Sequence, residues 1–323
     1  MAKGTGKIPS FQSWLESESW RGWKSIGLTG LKGSSKAYIL SHWRERVRGP
    51  LLVIVPRLQD AEFLLEDLRF FQSVKDAQSY LFPPWETLPY DDIPPHPEIV
   101  RERVKCLFSL MRGEEAVVIS PVKALIQKVL PPTDLKKLTL PFSVGEEVDR
   151  NRLVHFLNES GYTPVRIVEE RGDFSLRGAI IDIYAPLYEE PLRLEFDGDR
   201  LESIRRFETE SQRSLAQSLM DEAILLPARD ISKDSPDRRL ATLFDYLQKD
   251  RLVFVEEGEE VEREKEAFFG LIGEHYEKAL SKKESVPPPE SSYLRREDLP
   301  VHLDQFQTIF LQEGPIEIGR AHV

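Results

Sequence analysis

The chain has 323 residues, 40% of them hydrophobic and 31% charged, which is enough for a real core in two domains, or three at most, of ordinary size. No apolar run reaches the ~18–20 residues of a bilayer span, residues 1–19 lack the apolar stretch of a secretory signal, and a single cysteine, Cys106, excludes an internal disulfide framework. The expectation is a soluble cytoplasmic protein without a membrane partner, and its net charge of −11 argues against a dedicated DNA-wrapping module.

Residues 1–50 are the basic part, with nine Lys and Arg against three Glu. Direct duplex binding by this segment is one reading; a solvated surface on the first helices is the simpler one. From about 25 to 128, short apolar strands alternate with helical stretches, which implies a parallel α/β sheet. A strand at 25–29 leads through a loop with Gly30 and Gly33 into a helix at 35–48. Residues 51–55 (LLVIV), between Gly49-Pro50 and Pro56, read as a strand buried on both faces. Leu58, Ala61, Leu64, Leu65 and Leu68 then recur at helical spacing. A helix at 98–111, a second buried strand at 116–119 and a helix over 121–129, with Pro121 in its first turn, continue the alternation. Residues 83–97 hold six prolines and predict an irregular loop.

The texture changes near Pro131-Pro132. Residues 149–159 read as a helix with Leu153, Phe156 and Leu157 inward and Gly161 as its C-terminal cap. Short β segments follow at 165–169, 174–177, 180–184, 192–196 and 201–205, with Asp197-Gly198-Asp199 as a hairpin turn. Beyond Arg213 the earlier period returns: 223–226 is apolar, 238–248 helical, 252–255 a buried strand, and 282–292 a proline- and serine-rich linker or loop. The expected organisation is a sheet domain over 1–127, a small inserted α+β domain over 128–208, and a truncated second part of the sheet domain over 209–317. Residues 318–323 read as a translated adapter sequence, hence a non-native tail, and the chain as the N-terminal part of something longer.

A phosphate-binding P-loop needs GxxxxGK[ST] between a strand and a helix. Its backbone N–H groups cradle phosphates, its Lys reaches the β/γ-phosphates and its hydroxyl ligates Mg²⁺. The corresponding place here holds Gly30-Leu31-Lys32-Gly33-Ser34-Ser35-Lys36-Ala37. Ser35 replaces the second glycine and Ala37 the magnesium-binding hydroxyl. Downstream, Leu252-Val253-Phe254-Val255 runs into Glu256-Glu257, with Glu where a Walker B strand ends in Asp. Gly30, Gly33, Ser35, Lys36, Ala37, Glu256 and Glu257 therefore read as a vestigial nucleotide site in a degenerate P-loop-type fold; an apolar strand that merely ends in two acids is the plainer alternative. The six histidines form no HxxxH or HExxH pattern and there is no GxSxG, so no metal and no catalytic residue is assigned.

Three stretches carry a resemblance: Trp85-Glu86-Thr87-Leu88-Pro89-Tyr90-Asp91; Gly172-Asp173-Phe174 with Arg177-Gly178 and Asp182; and Ser203-Ile204-Arg205 through Ser211-Gln212-Arg213-Ser214. From about residue 10 to 227, and more loosely to 257, the chain resembles the N-terminal, UvrB-like region of the bacterial transcription-repair coupling factor (Mfd) family. The resemblance implies a UvrB-like sheet domain interrupted by an α+β domain that docks the repair protein UvrA, with no ATP hydrolysis in this stretch. It also implies that RNA polymerase and DNA are engaged through domains absent here. ATP and Mg²⁺ would serve translocase domains of the longer protein, whose C-terminal domain masks the docking face. Where UvrB has a long DNA-probing hairpin, this sequence has the short proline-rich 82–97. A UvrB-type ATP-dependent helicase or damage-recognition subunit is the rival reading, disfavoured by Ser35 and Ala37. For docking, the resemblance points to Arg177, with Ser175 where UvrB has a second arginine on the same strand face. Arg166 would serve a further basic position, whose direct counterpart is Pro164, and Arg171 joins them. Arginine suits such a face because its planar fork pairs bidentately with carboxylates. The structural alternative for Arg177 is an ion pair with Asp182 or Glu195, and Phe174, on the opposite strand face, is expected in the core.

Overall fold

The computed structural model describes residues 11–71, 78–87, 90–91, 93–229, 240–249, 251–282 and 286–314. The expected tail, 318–323, and Lys3 and Lys7 of the basic segment lie outside the described residues. In chain order, α1 (Phe11–Glu16), β1 (Ser25–Leu28), α2 (Ser35–Arg44), β2 (Leu51–Val55) and α3 (Leu58–Phe71) come first. β3 (Gln78–Leu81), α4 (Pro97–Arg112), β4 (Ala116–Pro121), α5 (Val122–Ile126) and α6 (Pro132–Lys137) follow. The middle of the chain holds β5 (Leu140–Ser143), α7 (Arg150–Glu159), β6 (Thr163–Pro164), β7 (Asp173–Arg177), β8 (Ile180–Ile183), β9 (Leu192–Asp197), β10 (Arg200–Phe207), β11 (Ser214–Met220) and β12 (Glu222–Leu225). The last third supplies β13 (Leu252–Glu256), α8 (Gly258–Leu280), α9 (Asp298–Leu303) and β14 (Gln307–Leu311).

The first sheet is parallel throughout, in the order β1-β14-β13-β2-β4-β3. Its two halves are far apart in sequence: β13 and β14 sit between β1 and β2, so the last third of the chain completes a sheet begun by the first. The unbroken apolar run of β2 has its reason here. Leu52 and Ile54 pack with Val118, Val253 and Leu125 on one face, while Leu51, Val53 and Val55 pack with Leu40, Trp43 and Phe254 on the other. A strand covered on both faces has no reason to alternate. Trp43 anchors the second face, edge-on to Trp14, Trp20 and Phe254 with centroids 5.2–5.9 Å apart, and burial of such rings dominates the local energetics. α4 begins on Pro97 with His96 accepting the Glu98 N–H, and stops where Gly113 takes a φ of +66°.

The second sheet runs β11-β10-β9-β8-β7-β6, antiparallel except for the short β6–β7 pair. α7 covers one face, with Leu153 and Leu157 against Phe174, Ile181, Leu194 and Ile204. Asp149 caps α7 by accepting the Asn151 and Arg152 N–H groups. The expected hairpin forms, with Asp197 paired to Arg200 across Gly198-Asp199. β11 extends this sheet to Met220, and β12 pairs with β5, so the unit runs past residue 208.

Several expected elements differ. The segment 165–169 is not a strand. After Val165 its groups are held by side chains instead: Ser175 Oγ donates to the Arg166 carbonyl, Gln212 Nε2 to that of Val168, and Asp173 accepts the Glu169 and Glu170 N–H groups. Of the expected helix at 238–248, 238 and 239 lie outside the described residues; the rest is a bridge from Ala241 to Val129 and one 3₁₀ turn, Leu243–Tyr246, closed by a Thr242/Asp245 capping box. The expected helix over 121–129 stops at Ile126, because Val129 is taken by that same bridge. Strands β3, β5, β6, β11 and β14 have no counterpart among the expected elements. The described residues of the proline-rich 83–96 are irregular, as expected, and a buried arginine anchors their start; Pro97 opens α4. Arg103 lies over the rings of Phe82 and Trp85, at 4.3 and 4.9 Å, and donates to the Pro83 carbonyl at 2.8 Å.

Candidate functional site

At the carboxyl end of the parallel sheet, β1 ends at Leu28 and the chain loops through Gly30 and Gly33 into α2. Both glycines have positive φ, +78° and +51°, a region that glycine enters at no steric cost. The Leu31 N–H donates to the Gln312 carbonyl, just beyond β14, at 3.0 Å. From the first turn of α2, Lys36 Nζ lies 2.7 Å from Glu256 Oε1 and 2.8 Å from Glu257 Oε1. Glu256 ends β13, and Glu257, in a left-handed conformation, caps α8 and accepts the Glu313 N–H at 2.8 Å. Burial opposes the Lys36 charge, but the two carboxylates outweigh it and raise its pKa above the ordinary 10.5. Burial also pushes the Glu256 carboxyl above its usual range, and Lys36 offsets this only in part. Ser35 opens α2, and Ala37 is fully buried against Leu40 and Trp43. The fold thus brings Lys36, Glu256 and Glu257 together across 220 residues of sequence.

On the second sheet, the face away from α7 carries a register row of Ser175, Asp182, Arg193 and Arg205, flanked by Arg177, Ile180, Glu195 and Ser203. Asp182 is completely buried. Its Oδ1 accepts Arg193 Nε at 2.8 Å and its Oδ2 accepts Arg193 Nη2 at 3.0 Å, a bidentate pair. Arg177 Nη2 donates to the same Oδ2. Hydrogen bonding to Asp182 raises the Arg193 pKa. Arg193 is covered in turn, with its guanidinium over the Phe207 ring and Nη1 donating to the Gln212 carbonyl. Arg177 has the exposed position: 43% of its side chain is open to solvent. Glu195 is held elsewhere, by Ser203 Oγ at 2.6 Å. Arg166 is exposed, and its carbonyl accepts Ser175 Oγ, which brings it beside the position lacking a second arginine. Leu176 and Ile167 add half-exposed apolar surface to the same edge.

Arg171 stands apart from the docking set. Its side chain is only 11% exposed, lies over the Tyr184 ring, and donates to Glu98 on α4, to Glu189 and to the Tyr188 carbonyl. Arg101 of α4 shares Glu98 and Glu189. Arg171 therefore ties the second sheet to the first. Sequence reasoning missed this role, and also missed Arg193. The alternation Leu192-Arg193-Leu194 put Arg193 on a polar strand face, but only the β8–β9 register places it opposite Asp182.

Residues 140–230 match the family model of the UvrB interaction domain. Beyond that stretch the chain is similar to proteins named transcription-repair-coupling factor: 37% identical over 217 residues to that of Myxococcus xanthus, covering 65% of the chain and 18% of the relative. The identity is 35% over 205 residues for Escherichia coli K12, with 63% and 17% covered, and 32% over 195 residues for Bacillus subtilis 168, with 60% and 16%. The resemblance to an N-terminal region of that family therefore holds. The chain spans less than a fifth of these relatives' length. Among the described residues, no group of three or more His, Cys, Asp or Glu is placed to hold a metal ion, and no helix is long and apolar enough to cross a membrane.

Proposed function

We propose that this chain is the recognition module of a transcription-repair coupling factor, whose UvrB interaction domain recruits UvrA to a stalled RNA polymerase. The observation that carries this reading is the exposed Arg177 on the matched domain, with the exposed Arg166 held beside Ser175 of the same strand. Arginine is enriched among protein-binding hot spots, and it fits an acidic patch on the partner. RNA polymerase and DNA would be engaged by other domains of the longer protein, and its C-terminal domain would cover this face until then.

The same reading assigns no ATP hydrolysis and no nucleotide cofactor to this stretch, and treats the loop before α2 as a degenerate P-loop. Lys36 spends two of its three donors on Glu256 and Glu257, and a polyphosphate entering there would meet both carboxylates. Ala37 offers no hydroxyl to Mg²⁺. Any ATP and Mg²⁺ would belong to translocase domains elsewhere. The test is titration of the chain into purified UvrA, beside Arg177→Ala. We expect saturable binding that weakens about tenfold or more in the variant, as for a hot-spot arginine, with an unchanged thermal melt. No binding by the folded wild-type chain would remove the docking function, and ATP turnover would favour a UvrB-type helicase instead.

A further inference from the structure

We infer that Asp182 is a positioning residue for docking, which orients Arg177 from beneath while Arg193 neutralises it; this rests on the docking role of Arg177 proposed above. Three observations carry it. Asp182 is a fully buried carboxylate, and a buried carboxylate persists only if paired and hydrogen-bonded. Arg193 already satisfies it bidentately, through Nε at 2.8 Å and Nη2 at 3.0 Å. Arg177 adds a second cation to the same Oδ2, through Nη2 and from a half-exposed position.

The charges of the trio leave one positive charge over, and it resides on the outermost member. Arg177 does not have to give up Asp182 in order to dock. A guanidinium has five N–H donors; the inward contact takes one N–H of Nη2, which leaves one of the two bidentate edges available to a partner carboxylate. A free arginine loses rotamer entropy when immobilised, and the contact with Asp182 takes that cost in advance. The loop around Gln212, which accepts from Arg193 Nη1, fixes the third member.

The sign of one substitution separates positioning from charge alone. Asp182→Asn removes a negative charge next to Arg177, so if net charge governed docking the variant would bind an acidic partner surface more tightly. Positioning requires weaker binding. We expect purified UvrA to bind Asp182→Asn about tenfold more weakly, ~1.4 kcal/mol. In an Arg177→Ala background the same substitution should cause no further loss, because the group it orients is gone. Unchanged or tighter binding by Asp182→Asn would overturn the inference, as would an equal loss in both backgrounds, which would mark a purely structural role. If Arg177→Ala itself binds like wild type, it is the docking face that fails, a result readable apart from the Asp182 series.

Should Asp182→Asn not fold cooperatively, Arg193 gives an independent handle. In Arg193→Gln the buried carboxylate has Arg177 as its only cation, the surplus charge vanishes, and binding should fall about tenfold; Arg193→Lys restores the second cation and should bind near wild type. Wild-type affinity in Arg193→Gln would overturn the assignment.

Discussion

Lys36 lies 2.7 Å from Glu256 and 2.8 Å from Glu257, so the negative charge that a phosphate would bring to this position comes from the chain itself. Both halves of the cluster, Lys36 and Glu256-Glu257, stand out in the sequence. Their meeting does not, because nothing in a sequence says that β13 lies beside β2, or that Glu257 turns back through a positive φ. Removing the ammonium should be costly. Lys36→Met leaves two carboxylates facing one another, one of them largely buried, and should cost about 3 kcal/mol in urea unfolding, the low end for breaking a buried pair. Glu257→Gln should cost less, since Lys36 keeps Glu256. The pH dependence follows from the directions of the shifts. Lys36 has its pKa raised on folding, so its contribution is complete below its unfolded value of 10.5 and disappears as pH climbs through the higher folded value. Glu256 is also raised, so the folded state binds its proton more tightly than the unfolded one; stability from this group falls as pH rises through the folded value. Without Lys36 the Glu256 shift grows, and the variant should recover towards wild type as pH falls into the range where this raised carboxyl takes up its proton. A stability gap that stays constant from acid to alkaline pH would refute this account of the cluster.

At the scale of elements, the two-faced strands were the most legible part: β2 and the core of β4 could be read directly, because continuous apolar runs between Gly/Pro breaks have few other uses. The second sheet was read strand by strand except at 165–169, where side chains replace ladder bonds, and β11, which mixes Ala, Gln and Ser. Contacts between elements were the blind spot, and α4 shows why. Its amphipathic pattern marks buried residues without saying what they are buried against. One set of them, Val100, Val104 and Phe108, packs on Leu226 of the inserted unit, with Glu98 and Arg101 meeting Arg171 and Glu189 at the rim. Arg171→Ala should therefore destabilise the chain by about 2 kcal/mol and speed amide exchange along α4 and around Tyr184, while the affinity for UvrA stays within about threefold of wild type, the bound set by non-anchor interface residues. A large loss of affinity without faster exchange would return Arg171 to the docking face. On the other side of the same helix, Arg103 holds the proline-rich loop through Pro83 and the Phe82 and Trp85 rings. Arg103→Ala should open residues 83–97 to limited proteolysis, with a cost of about 3 kcal/mol for a lost buried network. A loop as protease-resistant as in wild type would show that the prolines alone keep it ordered.

Over the whole molecule, the uneven charge along the sequence does not survive folding as a basic face. Among the described residues of the first fifty, Arg46 pairs with Glu16, Arg48 and Arg44 with Glu115, Arg21 with Glu18, and Lys36 with Glu256 and Glu257. Lys24 donates to the Asp304 carbonyl. Three of those acids, Glu115, Glu256 and Glu257, come from parts of the chain that are acidic in sequence, so a segmental count of +6 overstates what a duplex would meet. The fold that joins first and last thirds in one sheet is also what mixes their charges. Duplex binding depends on phosphates neutralised, each contributing about 0.9 to the slope of log affinity against log salt. With five of the seven described cations of that segment already in ion pairs and a net charge of −11, the chain should engage no more than about two phosphates. Its affinity for a duplex should then change by about tenfold or less between 50 and 200 mM salt, against about 10³-fold or more for a protein making six contacts. Fluorescence anisotropy with a labelled duplex measures this directly. A slope near −5 would mean that the ion pairs of the first fifty residues open on contact with DNA, and would restore that segment as a nucleic-acid surface.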